Sequence, residues 1–228
     1  NERSLQWIDK EDWIYEVSFD AGTLTRGYEH VRLEFLGLDT YADVFLNETR
    51  ILTADNMFRR WAAEVKPLLK EHGNVLRVYF HSPINKALPQ YESLPYRYEA
   101  WNDQADNGGL DGKKLSPFTR KAGYHYGWDW GPRLVTSGIW RPVKLQGWNE
   151  LRLEDVFHRQ TEVSSEAARV ETQVEIEAAA PVENAVVTVS DGKRVLGSRS
   201  VQLHAGMNRV SVPFTIDHPE LWWCRGMG

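Results

Sequence analysis

The sequence predicts an all-β protein in two successive domains, and three observations carry that prediction. Apolar residues recur with period two in several short runs, turn signals separate those runs, and aromatic content falls abruptly near residue 149. Eight of the ten tryptophans lie between Trp7 and Trp148, and every tyrosine lies at or before Tyr126. Only Phe157 and Phe214 supply aromatics from Asn149 to Leu221. The boundary therefore falls between a first domain over residues 1–148 and a second over 149–228.

In the first domain, WIYEVSF (Trp13 to Phe19) puts Trp13, Tyr15, Val17 and Phe19 on one strand face, with Ile14 an apolar exception on the other. HVRLEFLGL repeats the alternation through Val31, Leu33 and Phe35. YADVFLNETRIL reads as two β-rich runs around a turn at Asn47-Glu48, and NVLRVYF (Asn74 to Phe80) as another strand. The segment EVKPLLKEHG is expected to form one helical turn ending before Gly73. From Pro83 to Lys121 four prolines and NGGLDGKK predict a long irregular excursion. GIWRPVKLQGW restores the strand pattern. These signals fit an antiparallel sandwich or barrel.

The second domain is also β. ARVETQVEIEA sets Val170, Thr172, Val174 and Ile176 on one face, and NAVVTVS runs into a hairpin turn at Asp191-Gly192. GMNRVSVPFTI is a strand whose Pro213 demands an edge or a bulge. Several short strands in about seventy residues suggest an immunoglobulin-like sandwich.

Composition excludes some functions. A formal net charge of -5 with basic residues scattered argues against nucleic acid as partner. No apolar run approaches the roughly 20 residues of a membrane span, so no membrane partner is expected. The start, NERSLQWIDK, shows no signal-peptide pattern. The single cysteine, Cys224, rules out an internal disulfide and leaves the compartment open; a bacterial source would favour the periplasm or secretion. The seven histidines lack HxxxH or HExxH spacing, and no serine sits in a GxSxG elbow, so neither metal nor cofactor is expected. Asp103, Asp106 and Asp111 fall in the irregular excursion and read as solvated loop acids. Asn47-Glu48-Thr49 matches a glycosylation sequon, which a tight-turn asparagine explains equally well.

The chemistry concentrates in YHYGWDWGPR, Tyr124 to Arg133. Read as an extended strand, it places Tyr124, Tyr126, Trp128 and Trp130 on one face as sandwich core, with His125 and Asp129 on the other. Asp129 differs from its neighbours. Burying it unpaired is costly, so it requires Arg133, Arg141 or a ligand as partner. An ionised carboxylate is acceptor-only and takes two hydroxyl donors, and a sugar's C–H face lies well on an aromatic ring. Aromatic rings beside one acid are therefore a reasonable sugar site.

The stretch RKAGYHYGWDWGPRLVTSGIWRPVKLQGW closely resembles the signature of β-mannosidases in glycoside hydrolase family 2. LQWIDKEDWIYEVSF, LEFLGLDTYADVFLNETRIL, DNMFRRW and GNVLRVYF extend the resemblance over most of residues 5–148. In the second domain it is confined to PELWW at Pro219 to Trp223, and Cys224 replaces the usual proline. The resemblance implies a jelly-roll sugar-binding domain, then an immunoglobulin-like domain, then a barrel holding both catalytic glutamates. It implies that Asp129 reaches the barrel to hydrogen-bond the terminal sugar, with Trp128 beside it and Asn56 on a loop toward the active site. On this reading the chain is truncated at both ends, its partners are a terminal β-mannoside and the missing barrel, and alone it hydrolyses nothing. The alternatives are another family 2 exo-glycosidase (β-galactosidase, β-glucuronidase or exo-β-glucosaminidase), a free carbohydrate-binding module, or a structural pair of sandwiches.

Overall fold

The computed structural model describes residues 2–227. The chain divides into two compact units, Asn1–Gly147 and Trp148–Gly228, each with its own hydrophobic core.

The first unit runs β1 (Trp13–Phe19), α1 (Gly22–Gly27), β2 (His30–Phe35), β3 (Leu38–Asp39), β4 (Tyr41–Leu46), β5 (Thr49–Asp55), β6 (Trp61–Glu64) and β7 (Asn74–Phe80). It continues with α2 (Pro83–Ser93), β8 (Gly138–Ile139) and β9 (Val143–Trp148). One sheet has the order β1-β7-β4-β5 and the other β6-β2-β9, while β3 and β8 form a short pair. Period two explains the core: Val31, Leu33 and Phe35 of β2 face Ala42, Val44 and Leu46 of β4 and Leu76, Val78 and Phe80 of β7 in one buried cluster. In register, Ala42 pairs with Phe80, Val44 with Val78 and Leu46 with Leu76.

The β4–β5 hairpin turns on Asn47 (φ 49) and Glu48 (φ 68), both left-handed, as a two-residue turn between right-twisted strands requires. Asn47 also staples the turn to the fold. Its Nδ2 donates to Leu68 O at 2.8 Å and to Asn74 Oδ1 at 3.0 Å, and its Oδ1 accepts from Val75 N at 2.9 Å. The amide that a glycan would occupy is thus committed inside the protein.

Two expectations need correction. In β1, Tyr15 and Val17 do share a face with Val78 and Leu76, their partners on β7, yet both are exposed. β1 is a sheet edge, and period two assigns a face without ensuring that the opposite sheet covers it. The excursion from Pro83 is also not irregular throughout, because it opens with an eleven-residue helix, α2. Ser82 Oγ caps it by accepting from Asn85 N at 3.0 Å, and Pro83 occupies the first turn, where a missing N–H costs nothing. Proline at 83 and 89 reads as a breaker in sequence, but only Pro89 lies inside the helix. Ile84 and Ala87 join Leu115, Tyr126 and Val135 in a second small core that underlies the loop region.

The second unit comprises β10 (Leu151–Val163), β11 (Ala167–Ala178), β12 (Val182–Ser190), β13 (Val195–Leu203) and β14 (Gly206–Asp217). Its sheets have the orders β10-β11-β14 and β12-β13, packed around Val174, Ile176, Leu203, Val210 and Val212. Asp191 Oδ1 accepts from Lys193 N and Arg194 N at 3.0 Å each, shaping the β12–β13 turn with Gly192 at φ 88. Pro213 sits on β14, an edge strand, and pairs in unbroken register, so the edge rather than a bulge accommodates it.

The first core sets a stability prediction. Phe80 is fully buried between Trp13 and Ala42 on the neighbouring strands. Phe80→Ala should lower unfolding stability by about 3–5 kcal/mol, read from the urea midpoint by tryptophan fluorescence. A loss under about 1 kcal/mol would show that this core is not the one that holds the unit.

Candidate functional site

The stretch from Tyr124 to Arg133 is a loop, not a strand. Gly123–Tyr126 forms a 3-10 turn, and Gly127 follows at φ 121, a conformation suited to glycine. The turn breaks the period of two, so the four aromatics do not share a face. Tyr126 alone enters the core at 0% exposure, while Trp128 is 43% and Trp130 86% exposed. Tyr124 stacks on His125, with ring centroids 4.7 Å apart. Most of these rings are therefore available surface rather than scaffold.

The base of the loop is closed by a reciprocal pair. Leu134 N donates to His125 O at 3.0 Å, and His125 Nδ1 lies 3.3 Å from Leu134 O. A carbonyl accepts only, so Nδ1 carries the proton; Thr136 Oγ1 lies 3.2 Å from the same nitrogen. Burial pushes the His125 pKa down, the nearby Lys121 ammonium adds to the effect, and Asp39 opposes it. Lys121 is fully buried and ion-paired with Asp39, and its Nζ also donates to Thr136 O at 2.6 Å. Burial lowers the Lys121 pKa against the attraction of Asp39. Tyr15, His125, Thr136 and Trp140 line a cleft of about 300 Å³ at this base.

The C-terminal foot of the loop is Arg133. Its side chain is fully buried, and Nη1 donates to Gln6 Oε1 at 2.5 Å and to Asp9 Oδ2 at 2.6 Å. Its main-chain N donates to Glu2 Oε1 at 2.7 Å, and its carbonyl accepts from Gln6 Nε2 at 2.8 Å. The guanidinium lies so close over Gly108 that a Cβ there would stand 2.5 Å from Cζ. Burial raises the Asp9 pKa, against the pull of Arg133. The other expected partner, Arg141, instead lies over the ring of Trp140 at 4.3 Å. Asp129 consequently stands exposed at the loop tip, with no side-chain hydrogen bond or ion pair among the described residues.

The remaining expected site residues divide. Trp128 directly precedes Asp129, and its carbonyl accepts from Gln104 Nε2 at 2.8 Å. Asn56 follows β5, where its Oδ1 accepts from Phe58 N at 2.9 Å in a local turn and its carbonyl accepts from Trp61 Nε1 at 3.1 Å. That carboxamide oxygen is committed to backbone. Asp103 was expected to be solvated but is buried, with Oδ2 accepting from Ser116 N at 2.9 Å and Oδ1 left without a partner near the equally unpaired Tyr126 hydroxyl. Gln104 and the pairing of Arg133 with Gln6 and Asp9 were not read from sequence, which named Arg133 only as a partner for Asp129 and gave His125 no role. The glycines at 108 and 127 were the visible trace, since each marks a close approach that only a hydrogen atom permits. Among the described residues no group of three His, Cys, Asp or Glu is placed to hold a metal ion.

Comparison with known proteins agrees with this architecture. Residues 1–141 match the family described as glycosyl hydrolase 2 galactose-binding domain-like. The chain is 36% identical over 225 residues to beta-mannosidase B of Thermothelomyces thermophilus, covering 98% of this chain and 25% of that protein. It is 32% identical over 235 residues to beta-mannosidase B of Aspergillus oryzae, covering 100% and 26%. The chain thus spans about a quarter of the length of these curated relatives. Among solved structures, the β-D-mannosidase of Dictyoglomus thermophilum superposes with a TM-score of 0.83 at 37% identity, over 100% of this chain and 27% of that one. An exo-chitosanase of Amycolatopsis orientalis shares the fold at a TM-score of 0.66 and 19% identity, over 96% and 22%.

The His125 clamp makes the loop base sensitive to acid. The folded-state pKa lies below the unfolded value of about 6.5, so the unfolded chain takes up the proton first. The stabilisation is complete above about pH 6.5 and is lost as pH falls through the folded-state value. Melting temperature should therefore drop more steeply between pH 7 and 5 for the parent than for His125→Gln. Parallel curves would remove His125 from the account.

Proposed function

Because the chain belongs to the glycosyl hydrolase 2 galactose-binding domain-like family, we propose that it is the non-catalytic N-terminal part of an exo-acting, retaining β-mannosidase. The whole enzyme would hydrolyse terminal β-D-mannosyl residues of oligosaccharides. The single observation that carries the reading is the free carboxylate of Asp129, held at the tip of an anchored loop in a chain 36% identical to a β-mannosidase B.

The chemistry follows from the carboxylate. Ionised, it only accepts hydrogen bonds, and two adjacent sugar hydroxyls can each donate to one oxygen. Its neighbours carry no opposing charge to compete, because Arg133 is occupied by Asp9 and Arg141 by Trp140. Trp128 offers a half-exposed ring beside it for the sugar's C–H face, and Asn56 retains an amide nitrogen that its own turn does not use. Hydrolysis with retention needs two further carboxyl groups about 5–5.5 Å apart, one as nucleophile and one as acid/base. We assign that pair to a barrel domain outside these 228 residues, with Asp129 orienting the terminal mannosyl residue toward it.

Two measurements test the proposal. In the full-length gene product, Asp129→Ala removes two charge-assisted hydrogen bonds of about 1.5–3 kcal/mol each, so kcat/KM for an aryl β-mannoside should fall roughly 10²–10⁴-fold with an unchanged melting temperature. A loss under threefold would dismiss Asp129 as a substrate contact. The 228-residue chain should neither hydrolyse the β-mannoside nor bind mannose more tightly than millimolar, because Asp129 forms one wall of a site. Micromolar binding by that chain would identify a free carbohydrate-binding module instead.

A further inference from the structure

The carboxylate of Asp129 has no tether of its own among the described residues, so its position depends on the main chain that carries it. One side chain holds that main chain. Gln104 Nε2 donates to Trp128 O at 2.8 Å, which is the carbonyl of the peptide bond leading into Asp129. The main-chain N of Gln104 donates to Tyr126 O at 2.9 Å, two residues earlier. Asn107 Nδ2 donates to Gln104 Oε1 at 3.0 Å, and this fixes the amide so that its nitrogen faces the loop. Gly127 lies flat against the same side chain, since a Cβ there would stand 2.6 Å from Gln104 Cγ.

The segment that presents Gln104 is itself fixed. Asp103 and Ala105 on either side are buried, and Asp103 is tied to Ser116 N. The following 3-10 helix, Ala105–Gly108, ends at the glycine on which the Arg133 guanidinium rests. One short rigid element therefore grips both limbs of the loop, at Trp128 through Gln104 and at Arg133 through Gly108.

We infer that Gln104 is a positioning residue for Asp129: it fixes the Trp128–Asp129 peptide and thereby sets where the carboxylate meets the sugar. The inference rests on the reading of Asp129 as the substrate-facing acid. A displacement of about 1 Å in a positioned group costs on the order of 10²-fold in rate, which sets the scale of the effect.

A double-mutant cycle in the full-length gene product tests it, with kcat/KM on an aryl β-mannoside as the readout. Gln104→Ala should lower kcat/KM about 10–100-fold in the parent and less than about twofold in an Asp129→Ala background. Gln104→Met keeps the bulk against Gly127 but cannot donate, and should behave like Gln104→Ala while melting like the parent. Equal losses in both backgrounds would show that Gln104 acts by another route, and an unaffected Gln104→Met enzyme would show that the hydrogen bond positions nothing. Either result overturns the inference and leaves Asp129 in place. Failure of Asp129→Ala alone to lower kcat/KM would instead remove the reading beneath it.

Discussion

The interaction on which the loop region depends is the buried pair of Arg133 and Asp9. A guanidinium taken out of water costs several kcal/mol, and removing one member of such a pair typically costs about 3–5 kcal/mol because the other charge is left stranded. Here the compensation is incomplete. Asp9 Oδ1 and Arg133 Nε and Nη2 have no hydrogen-bond partner, and burial pulls the Asp9 pKa upward despite the adjacent cation. A pair so placed contributes geometry more than net stability. Together with the contacts of Glu2 and Gln6, it ties the N-terminal segment, with its 3-10 turns at Glu2–Leu5 and Ile8–Lys10, to the foot of the loop, and that foot lies against Gly108. It also removes the nearest cation in sequence from competition for Asp129.

Position and charge are thereby assigned to different groups. Main-chain and side-chain contacts hold the loop: Gln104 on Tyr126 and Trp128, His125 on Leu134, and the buried Arg133 on its three partners. The carboxylate at the tip is left solvated and uncommitted. A polar group fixed in place before the ligand arrives need not reorganise when it binds, which is the condition under which such groups are most effective. Had Asp129 paired with Arg133 or Arg141, as the cost of burying it unpaired would suggest, a ligand would have had to break that pair first.

Some of this was legible in the residues and some was not. The β2, β4, β7 and β11 strands were readable because each buries one alternating face in its core, although the other face is largely half-covered and Glu34 of β2 is itself buried. For β1 the same alternation named the inward face without revealing that Tyr15 and Val17 would be left uncovered, and in β10 Leu153 and Val156 repeat the lesson opposite buried Ile176 and Val174. Burial depends on the other sheet, which local pattern does not encode. The α2 helix was hidden by Pro83 and Pro89, although the first of them favours a helix start. The loop misread as a strand needed knowledge of a 3-10 turn, whose period of three undoes an argument from period two. The Arg133–Asp9 pair spans 124 positions, and nothing local links the two residues. Asp129 was read from its aromatic neighbours as part of a reasonable sugar site, and its reach toward a barrel came only from resemblance to a family signature.

An acceptor-only group on a fixed support also bears on selectivity. As the proposed substrate contact, Asp129 would have both oxygens satisfied by a sugar with hydroxyls at the right separation, whereas an analogue lacking one would leave a desolvated lone pair unmet. The penalty for the wrong sugar thus grows as the site becomes drier and the support more rigid. Gly127, at φ 121, lies closely against Gln104, and Gly131 lies against Trp128, so the chain on either side of Trp128-Asp129-Trp130 passes where a side chain would crowd it. Gly127 admits the turn, Gln104 and Arg133 fix it, and on the proposed function the free carboxylate is the group that would read the hydroxyls. Under that proposal, discrimination would originate in the backbone beneath Asp129 as much as in the carboxylate.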